Sequence, residues 1–186
     1  MNQEKQVLLK AEEIQRIVSR MAHEIVEKSG DLHELALIGI RSRGAHLVRR
    51  LAKKIEEISG VAASVGDIDV TPYRDDVRKS DRALASPTPT IPISIEDKTV
   101  ILVDDVIYTG RTVRAALDLL SQAGKSKRIL LAILIDRGDR ELPIKPDIVG
   151  KNVRADNSER VNVMLQESDG VDVVTLTESR PKRSLL

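Results

Sequence analysis

One segment, residues 100–112, constrains the fold of this chain more than any other. It reads VILVDDVIYTGRT, in which an apolar run at 100–103 leads directly into two acids, Asp104 and Asp105. A short turn follows, and a helical pattern begins near Arg111. Ligands of open α/β sheets bind at the carboxyl ends of the strands, and the amides at a helix start bind anions. The segment therefore predicts a buried strand that ends at a ligand site.

The residue types in this segment indicate the kind of ligand. Gly110 lets the backbone approach a phosphate closely, and Thr109 and Thr112 can add hydroxyl donors. Asp104 and Asp105 would repel a phosphate, so they suit sugar hydroxyls or a Mg²⁺ ion that itself holds phosphate oxygens. The GxxxxGK[ST] loop of nucleotide triphosphatases is absent. A solvated acidic turn would explain each fragment alone, but the combination favours a phosphate site beside a ribose site.

The rest of the chain alternates between helical and strand patterns. Helices are predicted at 11–28, 44–58 and 111–123, and strands at 35–40, 61–70, 98–103, 127–135, 161–165 and 171–176. This order predicts an α/β fold with a largely parallel central sheet. A length of 186 residues fits a single domain, 1–186. Residues 71–92 hold four of the seven prolines and are interpreted as a long flexible loop or loose hairpin.

Composition excludes several classes of protein. The chain has no cysteine, which excludes thiolate metal sites and fits a cytoplasmic protein. No apolar run approaches the roughly 18–20 residues of a membrane span, and the charged N-terminus is unlike a signal peptide. The net charge of +1 is not that of a dedicated nucleic-acid binder. With Tyr73 and Tyr108 as the only aromatic residues, an aromatic base-stacking platform is disfavoured.

Segment 100–112 resembles the phosphoribosylpyrophosphate (PRPP) signature of the type I phosphoribosyltransferases. Further motifs occur in order: GIRSRG at 39–44, DIDV at 67–70, YRDD at 73–76, DRG at 136–138, RELPI at 140–144 and VGKN at 149–152. Together they resemble the family of bifunctional pyrimidine-operon attenuation regulators that are also uracil phosphoribosyltransferases, over residues 11–175. The resemblance implies the type I phosphoribosyltransferase fold, a mainly parallel central sheet flanked by helices, with a flexible loop over the site.

The resemblance also implies roles for individual residues. Asp104 and Asp105 would hold the ribose and, with Arg74 from the flexible loop, act in catalysis. The loop at 41–44 would bind pyrophosphate and carry a non-proline cis peptide. The implied PRPP and nucleotide ligands are Ser42, Arg43, Gly44, Val106, Ile107, Tyr108, Thr109, Gly110, Arg111, Thr112, Arg137 and Val161. Mg²⁺ would bind through the substrate pyrophosphate, with Asp104 and Asp105 as candidate direct ligands. The basic residues Arg49, Arg50, Lys53 and Lys54 are interpreted as a solvated helix face.

The implied reaction converts uracil and PRPP into UMP and pyrophosphate. Purine-using relatives carry an Asp that acts as a base where this chain has Tyr108. A tyrosine, with an ordinary pKa of about 10, is a poor base at neutral pH. Because uracil gives up its ring proton more readily than a purine does, Tyr108 favours uracil as the substrate. The resemblance further implies a homodimer or homotetramer.

The resemblance implies a second activity, UMP-dependent binding to a messenger RNA leader that attenuates transcription of pyrimidine genes. The candidate RNA contacts are Ser19, Arg20, His23, Arg140, Lys145 and Lys151. The chain departs from the family pattern at Asp139, where the family has His, at Lys145, where it has Arg, and at 153–158, where it has IPTS. A carboxylate at 139 repels RNA phosphates, and Lys145 cannot make the bidentate contact that Arg makes. Both changes weaken salt-dependent RNA binding. Two alternatives therefore stay open: a phosphoribosyltransferase that has lost RNA binding, and a non-catalytic regulator that senses nucleotides.

Overall fold

The computed structural model describes residues 5–71 and 91–178. Most of the predicted flexible loop at 71–92, including Arg74, lies outside the described residues.

The described chain forms eight strands and four helices. They are β1 (Lys5–Lys10), α1 (Ala11–Ser29), β2 (Leu35–Ile40), α2 (Arg43–Ser59), β3 (Ser64–Ile68), β4 (Thr99–Ile107), α3 (Arg111–Ala123), β5 (Arg128–Asp136), β6 (Ile148–Asn152), β7 (Glu159–Met164), α4 (Gln166–Asp169) and β8 (Val173–Glu178). A 3₁₀ turn, Leu32–Glu34, precedes β2. None of the described helices combines the length and apolar character needed to cross a membrane.

The central sheet has five parallel strands in the order β3-β2-β4-β5-β6. Its middle strands are buried on both faces, which is why β2 and the first half of β4 are continuously apolar. Leu37 and Ile101 pack in the core cluster that includes residues of α1 and α2. Ile38 and Leu102 belong to a second cluster that includes residues of α3. The predicted α/β architecture with a parallel sheet is confirmed.

A second, antiparallel sheet has the order β1-β8-β7. In β8 the apolar residues Val174 and Leu176 enter the main core, while the alternate residues Thr175 and Thr177 line a cavity. β1 and β6 are not among the predicted strands. Both are short. β1 pairs with β8, which is distant in sequence, and β6 pairs with β5 at the edge of the central sheet.

The strand that carries the two acids is longer than predicted. We expected β4 to end at residue 103, directly before the acids. In the structure Asp104 pairs with Ile133, and the pairing with β5 continues to Ile107. The strand is longer because β5 also extends over nine residues and supplies partners along the whole length. Asp104 and Asp105 are therefore fixed by a sheet rather than by a turn.

Candidate active site

A cavity of about 1160 Å³ lies where β2, β4 and β5 end. One wall is the loop that contains Ser42, and the floor contains Asp104 and Asp105. Arg137 follows β5, and the antiparallel sheet adds Asn162. The parallel strands thus bring three separate sequence motifs to one edge of the sheet, as expected for an open α/β fold.

The two acids at the end of β4 are held by the backbone. Asp104, only 6% exposed, accepts a hydrogen bond from the Asp105 amide at 2.9 Å, and Asp105 accepts one from the Val106 amide at 2.9 Å. Burial raises the pKa of Asp105, and the positive charge of Arg43 acts in the opposite direction. Charging the Asp105 carboxyl therefore costs free energy, and a ligand that donates hydrogen bonds to the two acids would offset this cost.

The loop between β2 and α2 approaches these acids closely. The peptide bond between Arg41 and Ser42 is cis, which confirms the predicted non-proline cis peptide. A Cβ on Gly44 would lie 2.7 Å from the Val103 carbonyl oxygen and 3.5 Å from Asp104 Oδ1. Glycine at position 44 therefore lets the loop backbone lie against the acid-bearing strand.

The basic residues around this loop have defined partners. Asp67 forms ion pairs with Arg41 and Arg49. Arg50, with a side chain only 19% exposed, binds Glu167 at 2.6 Å and Asp172 at 2.7 Å. These hydrogen bonds raise the pKa of Arg50 further above its ordinary value. The interpretation of Arg50 as part of a solvated face is wrong, because it ties α2 to the segment before β8.

Only some residues of the predicted phosphate-binding segment, 106–112, line the cavity. Val106, Tyr108 and Thr112 line the cavity, whereas Ile107 is buried. The backbone turns at Gly110, whose φ of 93° is one that glycine adopts without strain. Thr109 and Arg111 flank it: the Thr109 hydroxyl accepts from the Arg111 amide at 3.4 Å, and Arg111 pairs with Glu141 at 2.7 Å.

Arg140 stabilises this turn from the segment after β5. Its guanidinium donates to the carbonyl oxygens of Tyr108 at 2.9 Å, Gly138 at 3.0 Å and Ile144 at 3.0 Å, and pairs with Asp136 at 2.7 Å. The Arg140 side chain is 20% exposed. This geometry favours a role inside the protein over the direct RNA contact that we predicted for Arg140.

Replacing Arg140 with Lys is expected to lower the free energy of unfolding by about 2 kcal/mol, because an ammonium group cannot reproduce the forked set of hydrogen bonds. Urea denaturation measures this loss. The exposed Lys145 on the same segment is the control, since Lys145→Ala should leave stability within about 0.5 kcal/mol. Equal stability of both variants would contradict the role assigned to Arg140.

Arg137 and Tyr108 form a stacked pair beside the acids. The Arg137 guanidinium lies 3.8 Å from the centre of the Tyr108 ring, at a distance that favours a cation–π interaction. Arg137 is 8% exposed and donates through Nη2 to the Asp156 carbonyl at 2.8 Å. Among the described residues, Arg137 Nε and Thr175 Oγ1 are buried with no hydrogen-bond partner. Both residues line the cavity, as does Val161, so this side can accept a polar planar ligand.

Sequence reasoning missed several residues of the cavity wall: Arg160, Asn162, Asp169, Thr175 and Thr177. The alternation of β8 contained a signal, because Thr175 and Thr177 interrupt its apolar residues with a period of two. Asp169 lies on the four-residue helix α4, which no sequence pattern predicted.

None of the remaining candidate RNA contacts lines the cavity that contains Asp104 and Asp105. Arg20 and His23 are exposed on α1, and Ser19 is half-buried. Arg20 pairs with Glu24 and donates to the carbonyls of residues 149 and 150. This places Arg20 beside the backbone next to Lys151, whose Nζ donates to the residue 8 carbonyl at 3.2 Å.

The departure from the family pattern at 153–158 has a structural correlate. Val153 and Ala155 are buried in the main core cluster, so these side chains pack inside the protein. Asp139 has a positive φ of 51°, a conformation in which Asp, Asn and His are enriched.

The residues at the site fit Mg²⁺ only in part. Within the described residues there is no group of three or more His, Cys, Asp or Glu side chains that could hold a metal ion. Asp104 and Asp105 offer carboxylate oxygens, the ligand type that Mg²⁺ uses together with substrate phosphates. A metal would therefore be held jointly with oxygens of a ligand.

Comparison with known proteins agrees with this geometry. The family model for the phosphoribosyl transferase domain matches residues 6–167. The bifunctional protein PyrR of Chloroflexus aurantiacus is 52% identical over 176 residues, which cover 95% of this chain and 96% of that protein. This chain belongs to the PyrR family. The PyrR protein of Bacillus subtilis is 47% identical over 182 residues, 96% of this chain and 99% of its relative.

Solved structures place the PyrR-family chain in the type I phosphoribosyltransferase fold. A hypoxanthine-guanine phosphoribosyltransferase of Bacillus anthracis aligns with a TM-score of 0.71 at 19% identity, over 96% of this chain and 99% of that one. A hypoxanthine phosphoribosyltransferase of Staphylococcus aureus aligns with a TM-score of 0.67 at 22% identity, over 95% and 93%. At such identities the likeness establishes the shared fold alone.

Proposed function

We propose that this chain is a uracil phosphoribosyltransferase that forms UMP and pyrophosphate from uracil and PRPP. One observation carries the proposal: Asp104 and Asp105 lie in the same cavity as Ser42 and Arg43, beside the turn that begins α3. The site therefore combines acceptors for a ribose with donors for pyrophosphate. Membership of the PyrR family, whose members carry the name bifunctional protein, supports it. We propose that residues 1–186 form one catalytic domain.

In the proposed mechanism the two acids act on the sugar. Asp104 and Asp105 accept hydrogen bonds from the ribose hydroxyls and orient the ring. As pyrophosphate leaves the anomeric carbon, positive charge develops on the ring, and the nearby carboxylates stabilise it. Because the carboxylates are held by backbone amides, they need little rearrangement during the reaction.

The pyrophosphate end is assigned to the loop after β2. Arg43 offers guanidinium donors, and the backbone at Ser42 and Gly44 lies close to the acids. Mg²⁺, when bound with the substrate, supplies positive charge to the departing pyrophosphate. The catalytic role of Arg74 rests on the resemblance alone, since Arg74 lies outside the described residues.

The base is assigned to the side of the cavity formed by Tyr108, Arg137 and Val161. Arg137 Nε and the Thr175 hydroxyl are buried donors without a hydrogen-bond partner. The carbonyl oxygens of a pyrimidine could accept hydrogen bonds from them. Tyr108 stands where purine-using relatives carry the Asp that acts as a base, which favours uracil over hypoxanthine or guanine.

The test is a mixture of protein, Mg²⁺, PRPP and one base at a time. With uracil we expect UMP, and with hypoxanthine or guanine we expect product at least about 100-fold more slowly, because pocket shape alone discriminates by about that factor and unpaired polar groups add to it. Chromatographic separation of the nucleotides measures both. Faster use of a purine would overturn the uracil assignment, and absence of any nucleotide would favour the non-catalytic sensor.

We further propose that the chain binds a messenger RNA leader in the presence of UMP and regulates pyrimidine genes in the cytoplasm. The exposed positions of Arg20 and His23 support this second activity. The competing proposal, loss of RNA binding, is favoured by Asp139 and by the internal contacts of Arg140. A homodimer or homotetramer is proposed from the family resemblance.

Replacing Arg20 with Gln is expected to weaken RNA binding and to reduce the slope of log affinity against log salt by about one, because one phosphate contact is lost. Gel shifts with leader RNA, with and without UMP, at several salt concentrations measure this change. Arg114→Gln, on the exposed side of α3, is the control. Absence of any shift at low salt would remove the regulatory proposal, and equal slopes would remove Arg20 from the interface.

A further inference from the structure

We infer that Asp169 is a positioning residue that fixes the guanidinium of Arg43 for the pyrophosphate group. The inference rests on the proposed function, which makes Arg43 a pyrophosphate ligand. Asp169 lies on α4, outside every motif that the sequence singles out, yet it lines the same cavity as Arg43.

Two parallel hydrogen bonds join Asp169 to Arg43. Arg43 Nη2 donates to Oδ1 at 3.0 Å and Arg43 Nε donates to Oδ2 at 3.3 Å. The two side chains are 34% and 18% exposed, so they lie at the cavity wall rather than in open solvent. A bidentate pair of this kind fixes the plane of the guanidinium as well as its position.

Asp169 is itself held by its own segment. Its Oδ2 accepts from the Leu165 amide at 2.9 Å and from the Ser168 hydroxyl at 2.8 Å. These bonds, first that of the Leu165 amide, and the pairing with Arg43 lower the pKa of Asp169 to about 2. The carboxylate is therefore charged throughout the neutral range and has little freedom to follow a moving arginine.

The pairing with Asp169 leaves N–H groups of Arg43 for other partners, and Arg43 lines the cavity. A guanidinium has five N–H groups, and the pairing with Asp169 uses one on Nη2 and the one on Nε. Arg43 is also close enough to Asp105 to lower the pKa of that carboxyl. Arg43 thus lies between the anchoring acid and a proposed ribose acid, where the pyrophosphate of PRPP would lie beside the sugar.

The neighbouring residue Asp172 provides a matched comparison. Asp172 accepts the Gln166 amide at 2.8 Å and binds Arg50 at 2.7 Å, just as Asp169 accepts a backbone amide and binds Arg43. Both acids join the same segment to α2. Arg50 and Asp172, however, line a different cavity from the one that holds the paired acids. If both acids were purely structural, replacing either one would change pyrophosphate binding equally. If Asp169 positions Arg43, its replacement alone would weaken pyrophosphate binding.

The experiment compares Asp169→Ala, Asp169→Asn and Asp172→Ala with the wild type. Calorimetry measures the affinity for pyrophosphate with Mg²⁺, and initial rates give kcat and KM for PRPP. We expect Asp169→Ala to weaken pyrophosphate binding and raise KM about 10-fold, roughly the value of one charged hydrogen bond. Asp169→Asn keeps an acceptor oxygen, so its pyrophosphate affinity and KM should lie within about 3-fold of the wild-type values. For Asp172→Ala both quantities should lie within about 2-fold of wild type, although the variant loses thermal stability.

Three outcomes would overturn the inference. Equal losses in Asp169→Ala and Asp172→Ala would make Asp169 merely structural. Tighter pyrophosphate binding in both Asp169 variants would mean that its carboxylate competes with the anion. A wild type that binds no pyrophosphate would overturn both the inference and the proposed function. A wild type that binds pyrophosphate but forms no UMP would overturn the proposed reaction alone, and the comparison of affinities would still decide the role of Asp169.

Discussion

The double variant Asp104→Asn, Asp105→Asn is expected to form UMP at least about 10³-fold more slowly than the wild type, because preorganised groups that stabilise developing charge contribute about 10²–10³ each. Asparagine keeps the shape of the side chains but removes the negative charge that faces the sugar. Initial rates at saturating PRPP and uracil measure the effect. Asp118→Asn, an exposed substitution on α3, should keep the wild-type rate. A rate within about 10-fold of wild type would contradict the ribose assignment.

The loss of activity should not come from unfolding. Burial raises the pKa of Asp105, so the folded protein binds this proton more tightly than the unfolded chain does. The contribution of Asp105 to stability is therefore largest below the ordinary carboxyl pKa and falls as pH rises through the raised pKa. Because charging this buried carboxyl costs stability, the free energy of unfolding of Asp105→Asn relative to the wild type should rise as pH increases. Denaturation of the single variant across pH tests this, and a difference that falls with pH would contradict it.

Gly39→Ala is expected to destabilise the protein by about 3 kcal/mol, at the upper end of overpacking costs. A Cβ at position 39 would lie 2.3 Å from the Gly44 carbonyl oxygen and 2.8 Å from the Ala45 Cα. These atoms belong to the backbone of the proposed pyrophosphate loop and of the first turn of α2, so no side chain can rotate to make room. Differential scanning calorimetry should record a fall in Tm of about 10 °C.

Gly66 on the adjacent strand β3 is the control for this substitution. A Cβ at Gly66 would come no closer than 3.2 Å to its nearest neighbours, which are side-chain atoms of Ile93 and Pro92. Gly66→Ala should therefore cost less than about 1 kcal/mol. A Tm for Gly39→Ala equal to that of Gly66→Ala would mean that the loop does not approach β2 as described.

Sequence patterns predicted correctly those helices and strands whose ends are set by neighbouring residues. Helix α3 has the predicted bounds, Arg111–Ala123, because glycines at 110 and 124 flank a clear helical pattern. The end of β4 was predicted wrongly, since Asp104 and Asp105 are poor strand formers whose pairing depends on the length of β5. β1 was missed for a similar reason, because its partner β8 lies at the other end of the chain.

The candidate site also combines residues that local motifs predict with residues that only long-range contacts bring together. The motif resemblance identified the acids at 104 and 105, and the structure brings them together with Arg43 and Arg137. Asp169 could not be predicted, because it meets Arg43 across 126 residues of sequence. Thr175 joins the cavity only through the pairing of β7 with β8, which a single strand pattern does not specify.

Helix α2 is joined at two points to the segment that leads into β8. Arg43 and Arg50 are seven residues apart on α2, and both bind acids in the segment that leads into β8. Two turns of helix fix their separation along the axis at about 10.5 Å. Helix α2 thus holds the segment at 166–172, and with it Asp169, at a fixed distance from the loop that would bind the leaving group. A residue inserted between 43 and 50 would rotate one arginine by about 100° relative to the other, so that Arg43 and Arg50 could not both keep their acids.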